Sequence, residues 1–308
     1  MTEATPSLSP LVLAPTLLVM GKGGVGKTTM AASLAVLEAQ LRGRAVLVEF
    51  GDGESGRRAL GAGRDGRSEG VGVEHVVIHA DEAIHRGSTP LFGSSTLAKL
   101  ALDNFAMRPL LRAAPAIREI AMLESVRQVA AERPGVRVVV DMPATGHGVA
   151  WLRTARQGRA FLGSGPLFDL CDRVARELVA PGRASPIVVT LPERLVLEET
   201  LELCASIARD PGLPVAAIIV NRVPRAFGAD AMRETRALHA ASPGGGAGAL
   251  LALLESRAAA SLEAARILEG LGGGSGKLGP STLWTVPLYP TDPTVATVAR
   301  VLREQGYP

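Results

Sequence analysis

Residues 17–29 read LLVMGKGGVGKTT. Leu17 to Met20 form a short apolar run of the kind that makes a buried strand, a glycine-rich turn follows, and Met30-Ala31-Ala32-Ser33-Leu34-Ala35-Val36-Leu37 reads as a helix. Gly21, four intervening residues and then Gly26-Lys27-Thr28 make the phosphate-binding loop pattern. Its spacing has a mechanical reason. Glycines at 21, 23, 24 and 26 give the backbone conformations closed to other residues, and let its N–H groups meet an anion with no side chain between. The following helix adds about half an elementary charge of positive potential at its N-terminus. Lys27 is placed to reach the β- and γ-phosphates, and Thr28 to offer its hydroxyl to Mg²⁺. The alternative is a strand-to-helix turn that binds nothing; the full pattern favours a nucleoside triphosphate.

Lys22 directly follows the first glycine, so the loop reads GKGGVGKTT and resembles the deviant Walker A loop of the group containing MinD, ParA, the nitrogenase iron protein and ArsA. In that group the early lysine crosses a dimer interface, which implies that Lys22 is a phosphate clamp supplied in trans. Only four of the 33 basic residues are lysines, and two of those four lie in this one loop.

At 308 residues and 47% apolar, the chain can bury one large core or two moderate ones. A formal net charge of +3, with both signs mixed along the chain, predicts no nucleic-acid binding. Cys171 and Cys204 make neither a CxxC pair nor a disulfide framework and read as small buried apolar residues in a reducing compartment. The first twenty residues lack a basic leader and run straight into the loop, and no run of 18 uncharged apolar residues occurs elsewhere. A cytoplasmic protein whose membrane contact is at most indirect is expected.

Strands are predicted at 44–49, 73–78, 136–140, 187–190, 215–220 and 282–288, alternating with helical stretches at 94–131, 149–156, 166–179, 193–207 and 293–305. Glycine and arginine crowd residues 51–72, which predicts a mobile loop. Asp141, closing the strand 136–140, stands where a Walker B acid would hold Mg²⁺ directly or through its water shell; its other reading is a turn cap. The alternation predicts an α/β fold, a mostly parallel doubly wound sheet of the P-loop NTPase type with a helical insertion. The expected organisation is a nucleotide-binding core in two parts, 1–93 and 133–308, around a helical subdomain at 94–132. Residues 21–29, 52, 141 and 221 all fall at carboxyl ends of strands, where such sheets bind ligands.

Four segments together resemble one family: GKGGVGKTT at 21–29, DMPATGH at 141–147, VTLPERLVLEET at 189–200 and IIVNRVP at 218–224 are similar to the ArsA family of arsenite-efflux and tail-anchored-protein-targeting ATPases. The resemblance implies a homodimer or heterodimer that closes around ATP and Mg²⁺ and opens after hydrolysis. By it, Gly23, Gly24, Val25, Gly26, Lys27, Thr28 and Thr29 hold the phosphates, and Asp141 with the loop to His147 forms switch II. Asn221, with Arg222 beside it, contacts the adenine, whose edge an amide can read, and the loop after Pro287 packs on the base. A turn former after a strand is the other reading of Asn221.

The departures are as informative. The family's switch I aspartate falls on Gly51, with Asp52 one residue late and Glu49 and Glu54 as weaker candidates. Catalytic geometry tolerates little displacement, so slow hydrolysis is expected. Two cysteines 33 positions apart do not make the thiolate cluster that soft As(III) needs, and the CxxC zinc staple of the targeting factor is missing. For the helical block two readings stand: an apolar face for a protein client, or Leu100, Phe105, Leu110, Ile117 and Leu123 as core. The competing functions are an ATP-gated dimer that binds and releases a client or partner, a non-catalytic nucleotide-binding subunit or scaffold, and a ParA/MinD-like positioning ATPase.

Overall fold

Strands of five to seven mostly apolar residues separated by helices satisfy their backbone by pairing in parallel, with helices covering both faces. The computed structural model describes residues 11–61, 72–84, 115–225, 228–242, 246–272 and 282–308. In chain order its elements are β1 (Thr16–Gly21), α1 (Lys27–Arg42), β2 (Ala45–Phe50), α2 (Glu54–Leu60), β3 (Val73–Ile78), α3 (Pro115–Ala131), β4 (Arg137–Asp141), α4 (Thr145–Phe161), α5 (Pro166–Glu177), β5 (Ala184–Thr190), α6 (Arg194–Arg209), β6 (Ala217–Val223), α7 (Ala229–Ala241), α8 (Ala247–Gly272), β7 (Thr282–Pro287) and α9 (Val295–Glu304). The described strands make one seven-stranded sheet in the order β3-β2-β4-β1-β5-β6-β7, and every pairing is parallel. This is the α/β doubly wound architecture that the alternation of elements predicts.

Because side chains alternate along a strand, each strand serves two cores. Leu17, Val19, Leu47, Val139, Ile187, Val189 and Ile219 face α1 and α9, where Met30, Leu34, Leu37, Val298 and Leu302 complete one layer. Leu18, Met20, Val46, Val48, Val138, Val140, Val188 and Ile218 face the opposite layer, which α3, α4, α5 and α6 supply through Ile120, Leu123, Val126, Leu152, Leu170, Val174 and Ile207. The described part of the helical block, α3, therefore contributes core; Leu100, Phe105 and Leu110 lie outside the described residues. Pro115 opens α3, where a missing N–H is harmless.

A buried polar cluster fixes the end of the sheet away from the loop. Glu38 is fully buried, accepts from Arg137 Nε at 3.0 Å, from Arg42 Nε at 2.6 Å and from the Tyr307 hydroxyl at 2.6 Å. Arg137 also donates to the carbonyls of Leu13 and Ala14, so α1, β4 and both described ends of the chain are tied together.

The structure corrects some local expectations. Residues 54–60, expected within a mobile loop, form helix α2, seated by Leu60 and by a turn at Gly53 with φ 71°; the rest of that stretch, 62–71, lies outside the described residues. Asp141 closes β4 at its carboxyl end as expected, whereas α4 starts at Thr145, four residues earlier than its apolar pattern predicts. Strand β6 starts at Ala217 and runs through Asn221 to Val223. There the register with β7 shifts between Val220, opposite Thr285, and Val223, opposite Pro287, so Asn221 and Arg222 lie in the bulge.

Candidate nucleotide site

The glycine loop connects the carboxyl end of the central strand to α1. Gly24 and Gly26 take φ 83° and 93°, and Gly26 caps α1 in the left-handed region. A Cβ at Gly23 or Gly24 would meet nothing within 4 Å, so this part of the loop faces open space. At Gly21 it would strike the Val189 carbonyl, because β1 and β5 approach closely there. The exposed face of the loop is thus bare backbone, the surface an anion needs.

Asp141 closes the site from β4. Its Oδ2 accepts from Thr28 Oγ1 at 2.5 Å, and its Oδ1 lies 4.0 Å from Lys27 Nζ. Both side chains are well buried, 14% exposed for Lys27 and 9% for Asp141. Asp141 Oδ1 is buried and has no hydrogen-bond partner among the described residues. Burial pushes this carboxyl above its ordinary range; Lys27 and the Thr28 hydroxyl pull it back down, and the Glu49 charge pushes it further up. A buried carboxylate oxygen without a donor beside a threonine hydroxyl fits a hard cation, and Mg²⁺ characteristically takes one or two such oxygens together with phosphates and water. Among the described residues no cluster of three or more His, Cys, Asp or Glu could hold a metal by itself.

Asn221 lies against the loop. Its Nδ2 donates to the Val25 carbonyl at 2.9 Å, and its Oδ1 accepts from the Arg222 amide at 2.8 Å. The residue is 6% exposed, and a Cβ on Gly26 would lie 2.5 Å from Nδ2. In this structure the amide tethers the phosphate loop to β6. Arg222 is exposed with φ 57°, and Pro287 pairs with Val223 at the same end of the sheet. Thr29, half-buried in the first turn of α1, gives its carbonyl to Ser33 Oγ at 2.7 Å.

The remaining candidates sit farther out. Lys22 Nζ is paired within the same chain, 2.6 Å from Glu199 Oε2, with both side chains nearly half exposed. This pair lines a groove of about 410 Å³ between α4 and α6, together with Val149, Arg153, Leu203 and Ser206. Asp52 is exposed and accepts from the Glu54 amide at 3.0 Å, capping α2, while Glu54 bonds Arg57 at 2.6 Å. Glu49 is buried. Cys171 and Cys204 are both free and buried; burial raises both thiols, Cys204 to about 12. Among the described residues no helix is long and apolar enough to cross a membrane.

Two groups escaped the sequence reading. Glu199 is 177 positions from Lys22, and no local pattern marks it as its partner. His75 stands in a short apolar strand, where its pairing with Glu49 at 3.1 Å depends on strand register.

The comparisons with known proteins agree with this geometry. ATPase BagA of Mycobacterium tuberculosis (strain H37Rv) and "Putative ATPase Mb3704" of Mycobacterium bovis are each 26% identical to this chain over 226 residues, which cover 67% of it. The matched region spans 64% of the length of those relatives. The model of the CobQ/CobB/MinD/ParA nucleotide binding domain matches residues 17–248, from β1 and its glycine loop past Asp141 and Asn221. With three quarters of its length inside that match, the chain belongs to the CobQ/CobB/MinD/ParA nucleotide binding domain family.

Proposed function

We propose that the chain is a Mg²⁺-dependent ATPase whose nucleotide state controls its association with a second subunit. The observation that carries this reading is the convergence of Lys27, Thr28 and the donorless oxygen of Asp141 beside bare loop backbone at the end of the central strand. The loop amides and Lys27 bind the triphosphate, and Asn221 keeps the loop in register. Thr28 and Asp141 are the residues that would hold Mg²⁺, which would supply charge neutralisation at the phosphates. The relatives named ATPases support hydrolysis.

Slow turnover follows from the carboxylates available. Asp52 is engaged as a cap and Glu49 is buried, so neither stands free to orient water without a change in the segment 51–60. Lys22 is exposed and held by a surface ion pair, an interaction worth about 0–1 kcal/mol, so giving up that pair for a neighbouring subunit's nucleotide costs little. The four ArsA-like segments support a client-binding dimer. The family match supports equally a positioning ATPase of the MinD/ParA kind.

Calorimetric titration with Mg-ATP, phosphate release and nucleotide-dependent sedimentation test the reading on one preparation. Wild-type protein is expected to bind and slowly hydrolyse ATP, Lys27→Ala to lose binding, and Lys22→Ala to bind ATP without forming the larger species. Absence of binding heat refutes it. Co-sedimentation with DNA and with liposomes separates the positioning ATPase from the client-binding dimer.

A further inference from the structure

Register places Glu49 immediately beyond the last β2–β4 pair, Val48 with Val140, so Glu49 and Asp141 occupy neighbouring strand ends. Glu49 Oε2 accepts the Gly56 amide at 2.8 Å, and His75 Nε2 lies 3.1 Å from the same oxygen. Both side chains are buried, 8% exposed for Glu49 and 2% for His75. Helix α2 rests directly on this pair. A Cβ on Gly56 would strike Glu49 Oε2 and lie 2.8 Å from His75 Nε2, and one on Gly53 would strike Val77. Seven residues are too few for a helix to persist by itself, so the seat determines where α2 stands. The turn carrying Asp52 is bonded to the first amide of α2 and moves with it.

We propose that Glu49 is a positioning residue: through the Gly56 amide and His75 it docks the segment 51–60 beside the Lys27–Thr28–Asp141 centre, and turnover depends on that docking. The inference rests on the ATPase reading and adds to it the element that sets the reaction geometry. A charge-assisted bond to one buried oxygen is short and directional, which suits it to fix a helix too short to hold itself. Glu49 itself touches no nucleotide in this scheme; it acts through α2.

Glu49→Gln and Gly56→Ala weaken the seat in different ways, the first by removing the charge and the second by inserting a methyl group between the partners. Both are expected to keep the Mg-ATP dissociation constant within about twofold and to lower kcat by about 10- to 100-fold, the loss that follows from a displacement near one ångström. His75→Gln, which retains a donor, is expected to keep most of the turnover that His75→Phe loses. Hydrogen exchange over residues 51–60 is expected to quicken in Glu49→Gln while α1 and α9 stay protected. Unchanged kcat in both seat variants overturns the proposal, as does a parallel loss of binding, turnover and melting temperature. Wild-type protein without turnover refutes the ATPase reading instead. Docking is then judged by exchange alone: unchanged protection of 51–60 in Glu49→Gln overturns it, and faster exchange confined to that segment upholds it.

Discussion

Replacing Asn221 by alanine separates two roles for this residue. Its side-chain amide donates to the Val25 carbonyl at 2.9 Å in a buried setting, and the substitution leaves that carbonyl without its donor. A buried polar group deprived of its partner costs about 1–3 kcal/mol. Binding must then restore a loop conformation that the tether held beforehand, so affinity is expected to fall by about 5- to 150-fold, tenfold for each 1.4 kcal/mol. The loss should be the same for ATP, GTP and inorganic triphosphate, since all three engage the loop through phosphates. Calorimetric titration of each ligand in Mg²⁺ measures it. If Asn221 acts by reading adenine, only the ATP affinity falls, and unchanged binding of GTP and triphosphate refutes the tether argument.

Asp141→Asn tests the electrostatics of the centre. Because burial raises the native carboxyl above its ordinary 3.8, the folded chain keeps this proton to higher pH than the unfolded chain does. The associated stability is complete below 3.8 and is lost as pH rises through the raised native value. Asp141→Asn is therefore expected to melt no lower than wild type at neutral pH without nucleotide, and to lose turnover; a lower melting temperature contradicts it. Glu199→Gln frees Lys22 at a cost of about 0–1 kcal/mol, so the ATP-dependent species is expected to form up to about fivefold more tightly in sedimentation, with unchanged assembly arguing against competition for Lys22. Tyr307→Phe removes a hydroxyl donor from the fully buried Glu38 and should lower stability in denaturant by about 1.5–3 kcal/mol, with ATP affinity unchanged because Arg137 and Asp141 stand at opposite ends of β4.

The glycine loop was legible from local chemistry. Its spacing dictates backbone conformation within nine residues, and Gly24 and Gly26 take the positive φ that such a turn uses. The parallel sheet was legible for a similar reason, since continuous apolar runs separated by helices admit few other arrangements. Asp141 was identifiable by its place at a strand end, and register with β1 brings it to Thr28.

What sequence could not supply were relations between distant positions. Helix α2 was hidden because glycine-rich composition argues for a loop, whereas tertiary contact with Glu49 and His75 makes glycine the residue that fits. The Asn221 tether spans 196 positions and the Lys22–Glu199 pair 177, distances over which no periodicity carries information. Local sequence determined the phosphate loop and the strands, because those depend on backbone conformation and burial within a few residues. Tertiary structure decided which side chains meet that loop, because strand order and packing bring Asp141 on β4, Asn221 on β6 and Glu199 on α6 to it.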